Sequence, residues 1–163
     1  MPRSPEARLR PPWRPARALL TGTLIVAALD ALDALLFFGL RGVPPARIFQ
    51  AIAAGLLGRP AAFRGGAATL CFGLLLHCVV AFGIVSVYFA ASRRLRVLTR
   101  RPVVCGMLYG VAAFFVMQFV VVPLSALGQT SSSPAVLVNG VLGHALLVGL
   151  PAALCARAAR PAL

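Results

Sequence analysis

Four long runs of apolar residues, each bounded by arginine, proline or glycine, dominate the pattern of hydrophobic and polar positions. They lie at about residues 18–40, 66–91, 102–126 and 134–156. An α-helix rises about 1.5 Å per residue, so each run is long enough to cross about 30 Å of hydrocarbon. The pattern therefore predicts an all-α polytopic membrane protein with four transmembrane helices, contained in a domain at 18–156.

A fifth, shorter apolar segment lies at residues 45–58, between the first two runs. Its large apolar side chains recur every fourth residue, at Ile48, Ile52 and Leu56. Arg47 and Gln50 lie off that stripe. The spacing predicts a short amphipathic helix, either interfacial or re-entrant, with a proline at its start and a glycine at its end. Residues 63–66 should form a flexible connection to the second run.

Composition and charge narrow the class of protein. The hydrophobic content is 60%, the mean hydropathy is +0.92 and only 12% of the residues are charged, which is too apolar for a soluble domain. The net charge is +13, and all 16 basic residues are arginines. Because they cluster between the apolar runs and not along an aromatic-containing helix face, they indicate membrane topology, and we expect no nucleic-acid partner.

The arginine distribution also predicts orientation. The segments expected on the side of the termini carry twelve arginines and the opposite loops carry four, so both termini should be cytoplasmic. Residues 1–17 should be a disordered basic tail and 157–163 a short cytoplasmic tail. The first run is too long for an ordinary signal peptide and lacks a small-x-small cleavage pattern, so we expect it to remain in the protein.

Ionisable residues inside the runs are the main candidates for function. Asp30 and Asp33 share a face of the first run, and His77 and His144 lie near the middle of the second and fourth. An acidic side chain near the centre of a spanning helix costs about 2.5–3.5 kcal/mol, and such residues often mark proton or ion pathways. We interpret these four as candidate proton- or ion-handling residues. The structural alternative is that one acid is protonated, or pairs with Arg47 or a histidine, and only fixes helix register.

Other polar and small residues should support a polar bundle interior. The supporting polar side chains are Arg47, Gln118 and Asn139, with Arg47 placed to approach Asp33. The small residues expected to allow close helix packing are Gly73, Gly106, Gly110, Gly140 and Gly143. Helices in lipid associate through such small residues and through interhelical hydrogen bonds.

No catalytic motif is present, and we expect no enzyme activity, no metal and no cofactor. A bis-histidine haem site at His77 and His144 is the weaker reading, because hydrogen-bonded neutral imidazoles explain them more simply. The four cysteines lie inside apolar runs without CxxC spacing and indicate no redox role.

The chain resembles an uncharacterised family of small bacterial multi-pass membrane proteins from about Thr23 to the C-terminus. The segments that carry the resemblance are His77 to Tyr88, ASRRL at 91–95, RRP at 100–102, GMLYG at 106–110, Met117 and VVPLSA at 121–126. The chain is more distantly similar to YagU-type inner-membrane proteins through His77 before Tyr88, Pro123-Leu124 and Gly143-His144. The resemblance implies a bacterial inner-membrane location and four spanning helices, and it implies no activity.

Two functions from different classes follow. The first is a small transporter, channel or proton-responsive element that uses the intramembrane aspartates and histidines. The second is a non-catalytic structural or accessory protein that packs against a membrane-protein partner, or against a second copy, through the Gly106 and Gly110 face. Membrane lipids are the remaining expected partners. The sequence specifies neither a substrate nor an oligomeric state.

Overall fold

The computed structural model describes residues 15–128 and 132–159, and every regular element in those ranges is helical. The helices are α1 (Pro15–Gly39), α2 (Pro45–Leu57), α3 (Arg59–Arg64), α4 (Gly66–Arg94), α5 (Val97–Arg100), α6 (Pro102–Leu124) and α7 (Pro134–Ala158). Helices α1, α4, α6 and α7 are long and apolar enough to cross a membrane, and α2 is a shorter apolar helix. The predicted fold class is confirmed. Most of the expected N-terminal tail and the last residues of the C-terminal tail lie outside the described residues.

Prolines and glycines set several helix boundaries. Helices α2, α6 and α7 all begin at a proline, where the fixed φ suits the first turn and no N–H is required. Gly58 has a φ of 73°, which lets the chain turn sharply between α2 and α3. Residues 63 and 64 are helical and belong to α3, so the expected flexible connection is limited to the glycines that follow.

Small residues allow dense packing in the half of the bundle that contains the start of α1 and the ends of α4 and α7. The buried apolar cluster there consists of Val26, Ala27, Ala81, Val85, Tyr88, Val148, Ala152, Ala153 and Ala156. A Cβ added at Gly22 would lie only 3.2 Å from side-chain atoms of Val85 and Cys155. Helices α1, α4 and α7 therefore meet closely at this end.

Helices α6 and α7 cross with their backbones in contact. A Cβ at Gly110 would overlap the carbonyl group of His144, and a Cβ at Gly149 would overlap the backbone of Gly106 and Gly110. Backbone-to-backbone approach of this kind requires a glycine at the point of contact. The Gly106 and Gly110 face is therefore covered by α7 of the same chain, and it is not open to a partner protein as the accessory-protein hypothesis requires.

Helix α2 packs against α4 with one of its own faces and lines a cavity with another. A Cβ at Gly73 would overlap the carbonyl of Phe49, so the two backbones are in contact there. Gln50, which lies off the apolar stripe, is buried and its Nε2 donates a hydrogen bond to the carbonyl of Gly66 at 3.0 Å. A buried amide needs such a partner. The stripe residues face a cavity that is described below.

Two of the spanning helices contain a π-helical segment, at Met117–Val121 in α6 and His144–Gly149 in α7. In each, the residue that precedes a proline donates its N–H to the carbonyl five positions earlier, Val122 to Met117 and Leu150 to Ala145. Pro123 and Pro151 lack an N–H, and in a regular α-helix their rings would clash with the carbonyl four residues earlier, which here lies inside the π segment. The prolines thus explain both widened turns.

Candidate functional site

Asp30 on α1 lies between two imidazoles that come from two other helices. Its Oδ2 is 3.9 Å from Nδ1 of His77 on α4, and its Oδ1 is 3.9 Å from Nδ1 of His144 on α7. The side chains of Asp30, His77 and His144 are 28%, 10% and 20% exposed. The structure therefore brings together three of the four ionisable residues that the sequence singled out, and we call these three the polar layer.

The polar layer lies directly on the packed core. Val26, Ala81 and Val148 of the core each lie one helical turn from a member of the layer, on the same helix and face: Val26 from Asp30, Ala81 from His77 and Val148 from His144. These three core residues also line the cavity, so the cavity reaches past the layer to the core. The layer and these core residues together form the floor of the cavity, and the rest of the small-residue core closes the bundle beneath them.

His77 has one ring nitrogen committed to the backbone. Its Nε2 lies 2.9 Å from the carbonyl oxygen of Ala27, and the site is buried. A carbonyl only accepts, so Nε2 must carry a hydrogen. In a neutral imidazole the other nitrogen then has a lone pair and no hydrogen, so Nδ1 faces the carboxylate of Asp30 as an acceptor. The two groups attract each other only when a proton or another donor joins them.

The carboxylate of Asp30 lacks hydrogen-bond donors in the part of the chain that the structure describes. A distance of 3.9 Å is too long for a direct hydrogen bond, and among the described residues no group donates one to this carboxylate. A carboxylate in a low-dielectric site is costly unless it is protonated, paired or hydrogen-bonded. Both carboxylate oxygens of Asp30 are therefore available to a further hydrogen-bond donor.

Asp33 has a different environment, although it lies on the same helix one turn away. Its Oδ2 accepts a hydrogen bond of 2.8 Å from Nδ2 of Asn139 on α7. A Cβ at Gly143 would lie 3.0 Å from the same oxygen, so glycine leaves room for the carboxylate. Asp33 therefore connects α1 to α7 in a satisfied interhelical hydrogen bond and does not join the two histidines.

A cavity of about 850 Å³ extends from the core past the polar layer into the half of the bundle away from the termini. Its walls are almost entirely apolar and come from α1, α2, α3, α4, α6 and α7, with Phe38, Ile52, Phe63 and Phe114 among them. The polar side chains in its lining are Asp30, Arg47, His77, Gln118, Ser125 and His144. A largely apolar pocket of this size with a few converging polar groups is typical of small-molecule sites.

Arg47 and Gln118 lie in the cavity wall. Among the described residues, neither forms an ion pair or a hydrogen bond with Asp30 or Asp33. Arg47 is exposed, and its guanidinium carbon lies 5.0 Å from the ring centroid of Phe63. The described residues contain no ion pair between Arg47 and Asp33, so the expected approach of these two side chains is not formed. Gln118, in the π segment of α6, donates a hydrogen bond of 3.0 Å to Ser132 Oγ.

The other predicted packing residue, Gly140, accommodates an aromatic ring. A Cβ at Gly140 would overlap the ring of Phe114, which itself lies edge-on to the imidazole of His144 with centroids 5.3 Å apart. The phenyl ring therefore holds His144 from the α6 side. Sequence reasoning missed Phe114 and Gly149, although Gly149 continues the small-residue face of α7.

The described residues show no metal centre. No group of three or more histidine, cysteine, aspartate or glutamate side chains in residues 15–128 and 132–159 could hold a metal ion. The two imidazoles direct Nδ1 toward a carboxylate, and Nε2 of His77 is bonded to a carbonyl. This arrangement suits proton exchange, since Nδ1 of each imidazole faces an oxygen of the same carboxylate.

Comparisons with models of protein families, with curated proteins and with solved structures gave no match to this chain. The function must therefore be argued from the polar layer and the cavity themselves.

Proposed function

We propose that the protein is a small proton-responsive transporter in which Asp30, His77 and His144 bind and release protons at the base of the cavity. The observation that carries the proposal is the polar layer, in which one carboxylate faces two imidazoles from two other helices at 3.9 Å. Imidazole is the side chain that most often serves to exchange protons in proteins, and the layer contains two of them. Ionisable groups at this depth commonly belong to proton relays.

The shape of the bundle supports a transporter over an open channel. The cavity gives access to the layer from one half of the bundle, whereas the apolar core with Val85 and Tyr88 fills the other half. An open pore would need a continuous polar path. A site near the middle of the membrane that is reached from one side is the arrangement that alternating access requires.

Protonation can be measured directly because the chain contains only two histidines. With ¹⁵N-histidine-labelled protein in lipid nanodiscs, both imidazole signals should change between about pH 5 and pH 8. In Asp30→Asn the pH response of both signals should differ from that of the wild type, because the carboxylate that faces both imidazoles is gone. Asp33→Asn is the matched control and should leave both responses close to wild type. Signals that do not change over this range would contradict proton binding at the layer.

Transport is tested separately in proteoliposomes that contain a pH-sensitive dye. Under an imposed proton gradient, flux should exceed that of empty liposomes for the wild type and for Asp33→Asn, and should fall to the empty-liposome level for Asp30→Asn. Equal traces in the wild type and Asp30→Asn would contradict the transport part of the proposal while leaving the titration result intact.

We further propose a bacterial inner membrane as the location, with both termini in the cytoplasm. The support is the arginine asymmetry of the sequence and its resemblance to small bacterial membrane proteins, including the YagU-type proteins. In the structure, the exposed arginines at 93–101 and Arg157 lie at and just beyond the C-terminal end of α4 and in the last turn of α7, on the side of the packed core. Reporter fusions to the C-terminus that are active only in the cytoplasm test this orientation.

A further inference from the structure

We propose that the cavity binds hydrophobic primary ammonium ions, with the ammonium group on Asp30 and the apolar body against the cavity walls. This inference rests on the proposed function, since it names the ligand that shares the polar layer with protons. It goes further because it assigns a chemical class to the occupant of the cavity.

The floor of the cavity is rich in hydrogen-bond acceptors. Both oxygens of Asp30 lack a donor among the described residues, and Nδ1 of neutral His77 is an acceptor because its Nε2 hydrogen is used by the carbonyl of Ala27. An ammonium group supplies one positive charge and three N–H donors, with no acceptor. It therefore complements this floor in both charge and hydrogen bonding, which a neutral or anionic group does not.

The walls suit the apolar part of such a ligand. Aromatic rings of Phe38, Phe63 and Phe114 line the cavity, and Phe114 lies beside His144 at the level of the polar layer. The face of an aromatic ring attracts a cation that is held within about 6 Å. The remaining lining is mostly aliphatic, from residues such as Ile48 and Val122, and it can bury a hydrocarbon or aryl chain.

Ammonium ions and protons should compete for the layer. When His77 and His144 are neutral, ionised Asp30 gives the floor one negative charge, which a bound ammonium balances. When an imidazole is protonated, it balances that charge itself and places N–H donors against Asp30. The other charged groups near the layer are Asp33 on α1, already bonded to Asn139, and Arg47 on α2, which lies over Phe63. Helices α3 and α6 contribute no ionisable residue to the lining.

Because Arg47 also lines the cavity, amphiphilic anions are the main alternative class of ligand. An amphiphilic anion could place its headgroup at Arg47 and its chain in the cavity. We favour the cation because Arg47 is exposed and already stacked on an aromatic ring, whereas Asp30 is largely buried and has no donor from the described residues. The less solvated group gains more from a partner of opposite charge.

The test uses three probes with nearly the same apolar body, that of the anion being shorter by one methylene: 4-phenylbutylammonium, 4-phenylbutanol and 4-phenylbutyrate. Binding to the full-length protein in zwitterionic nanodiscs is measured by calorimetry, with empty nanodiscs as the correction for partitioning. At pH 8 the ammonium should bind at least about tenfold more tightly than the alcohol, and the butyrate should bind most weakly. At pH 5 this preference should disappear, although the amine itself stays protonated because alkyl amines titrate near pH 10.

Two variants locate the site. Asp30→Asn should reduce ammonium affinity to that of the alcohol, and Asp33→Asn, the matched control one turn away, should keep the preference. Equal affinities of the wild type for ammonium and alcohol would overturn the proposal without any variant. A preference for butyrate that is lost in Arg47→Gln would overturn it in favour of an anion site. Loss of the preference in both aspartate variants alike would overturn its placement on Asp30.

The outcomes also separate this inference from the proposed function. Histidine signals that respond to pH in a protein without ammonium preference would overturn the ligand assignment alone. An ammonium preference that is the same at pH 5 and pH 8, with histidine signals that do not respond to pH, would support the ligand class and contradict the proton-responsive function.

Discussion

Nε2 of His77 lies 2.9 Å from the carbonyl oxygen of Ala27, one helical turn before Asp30 on α1. The same helix thus supplies the backbone acceptor that orients the imidazole and the carboxylate that faces its other nitrogen. Because the carbonyl requires a hydrogen on Nε2, the contact fixes which nitrogen remains to exchange a proton with Asp30. A hydrogen bond to the backbone therefore determines the chemistry of the layer.

The first prediction concerns the tautomer of His77. At about pH 8 its ¹⁵N spectrum should show a hydrogen on Nε2 and a bare Nδ1, because the carbonyl of Ala27 selects that form. His144 has no such contact to the backbone among the described residues, so its spectrum provides the internal comparison, assigned with a His144→Gln variant. A hydrogen on Nδ1 of neutral His77 would contradict the proposed role of Ala27.

The second prediction concerns the α6–α7 crossing. Gly110→Ala should destabilise the protein by about 1–3 kcal/mol, since the new methyl group would press on the backbone at His144 and the helices would have to separate. Gly83→Ala is the matched control, because a Cβ there meets nothing within 4 Å and alanine favours the helix by about 0.5–1 kcal/mol. Unfolding in mixed detergent micelles measures both. Equal stabilities of the two variants would argue against the close crossing.

Hydropathy alone predicted the four spanning helices, because length and apolar character determine whether a helix can cross a bilayer. The cost of ionisable groups in lipid likewise drew attention to Asp30, His77 and His144. The sequence could not show which aspartate faces the histidines. Asp30 and Asp33 lie on one helix face, yet their side chains reach different partners. Asp30 faces His77, and Asp33 accepts a hydrogen bond from Asn139.

The sequence pattern also could not predict features that depend on the backbone. The carbonyl of Ala27 is a binding group that any residue would supply, so no side chain signals it. The π segments had a visible cause in Pro123 and Pro151, but whether a proline kinks a helix or widens it depends on the neighbouring helices. Gln118 and His144, which line the cavity, both lie in these segments.

The third prediction concerns the bond between Asp33 and Asn139. A double-mutant cycle with Asp33→Ala and Asn139→Ala should give a coupling energy of about 0.5–1.5 kcal/mol, since such cycles give about 0.6 kcal/mol on average and about 1.7 kcal/mol at most for interhelical hydrogen bonds in membranes. The cycle that pairs Asn139→Ala with Asp30→Ala is the control and should give a smaller coupling, since Asp30 faces the histidines instead. Couplings of equal size in the two cycles would show that Asn139 does not distinguish the aspartates.

The fourth prediction concerns the π segment that begins at His144. Pro151→Ala restores an N–H that can bond to the carbonyl of Leu147, and it removes the ring that clashes with that carbonyl. If the segment becomes regular α-helix, the part of α7 before it turns by about 100°, the rotation of one residue, and His144 moves away from Asp30. The ¹⁵N signal of His144 should then lose its pH response while His77 keeps its own. Pro134→Ala, at the first position of the same helix where no N–H is needed, should change neither signal. An unchanged His144 in Pro151→Ala would mean that packing against Phe114 and Gly110, and not the proline, maintains the widened turn.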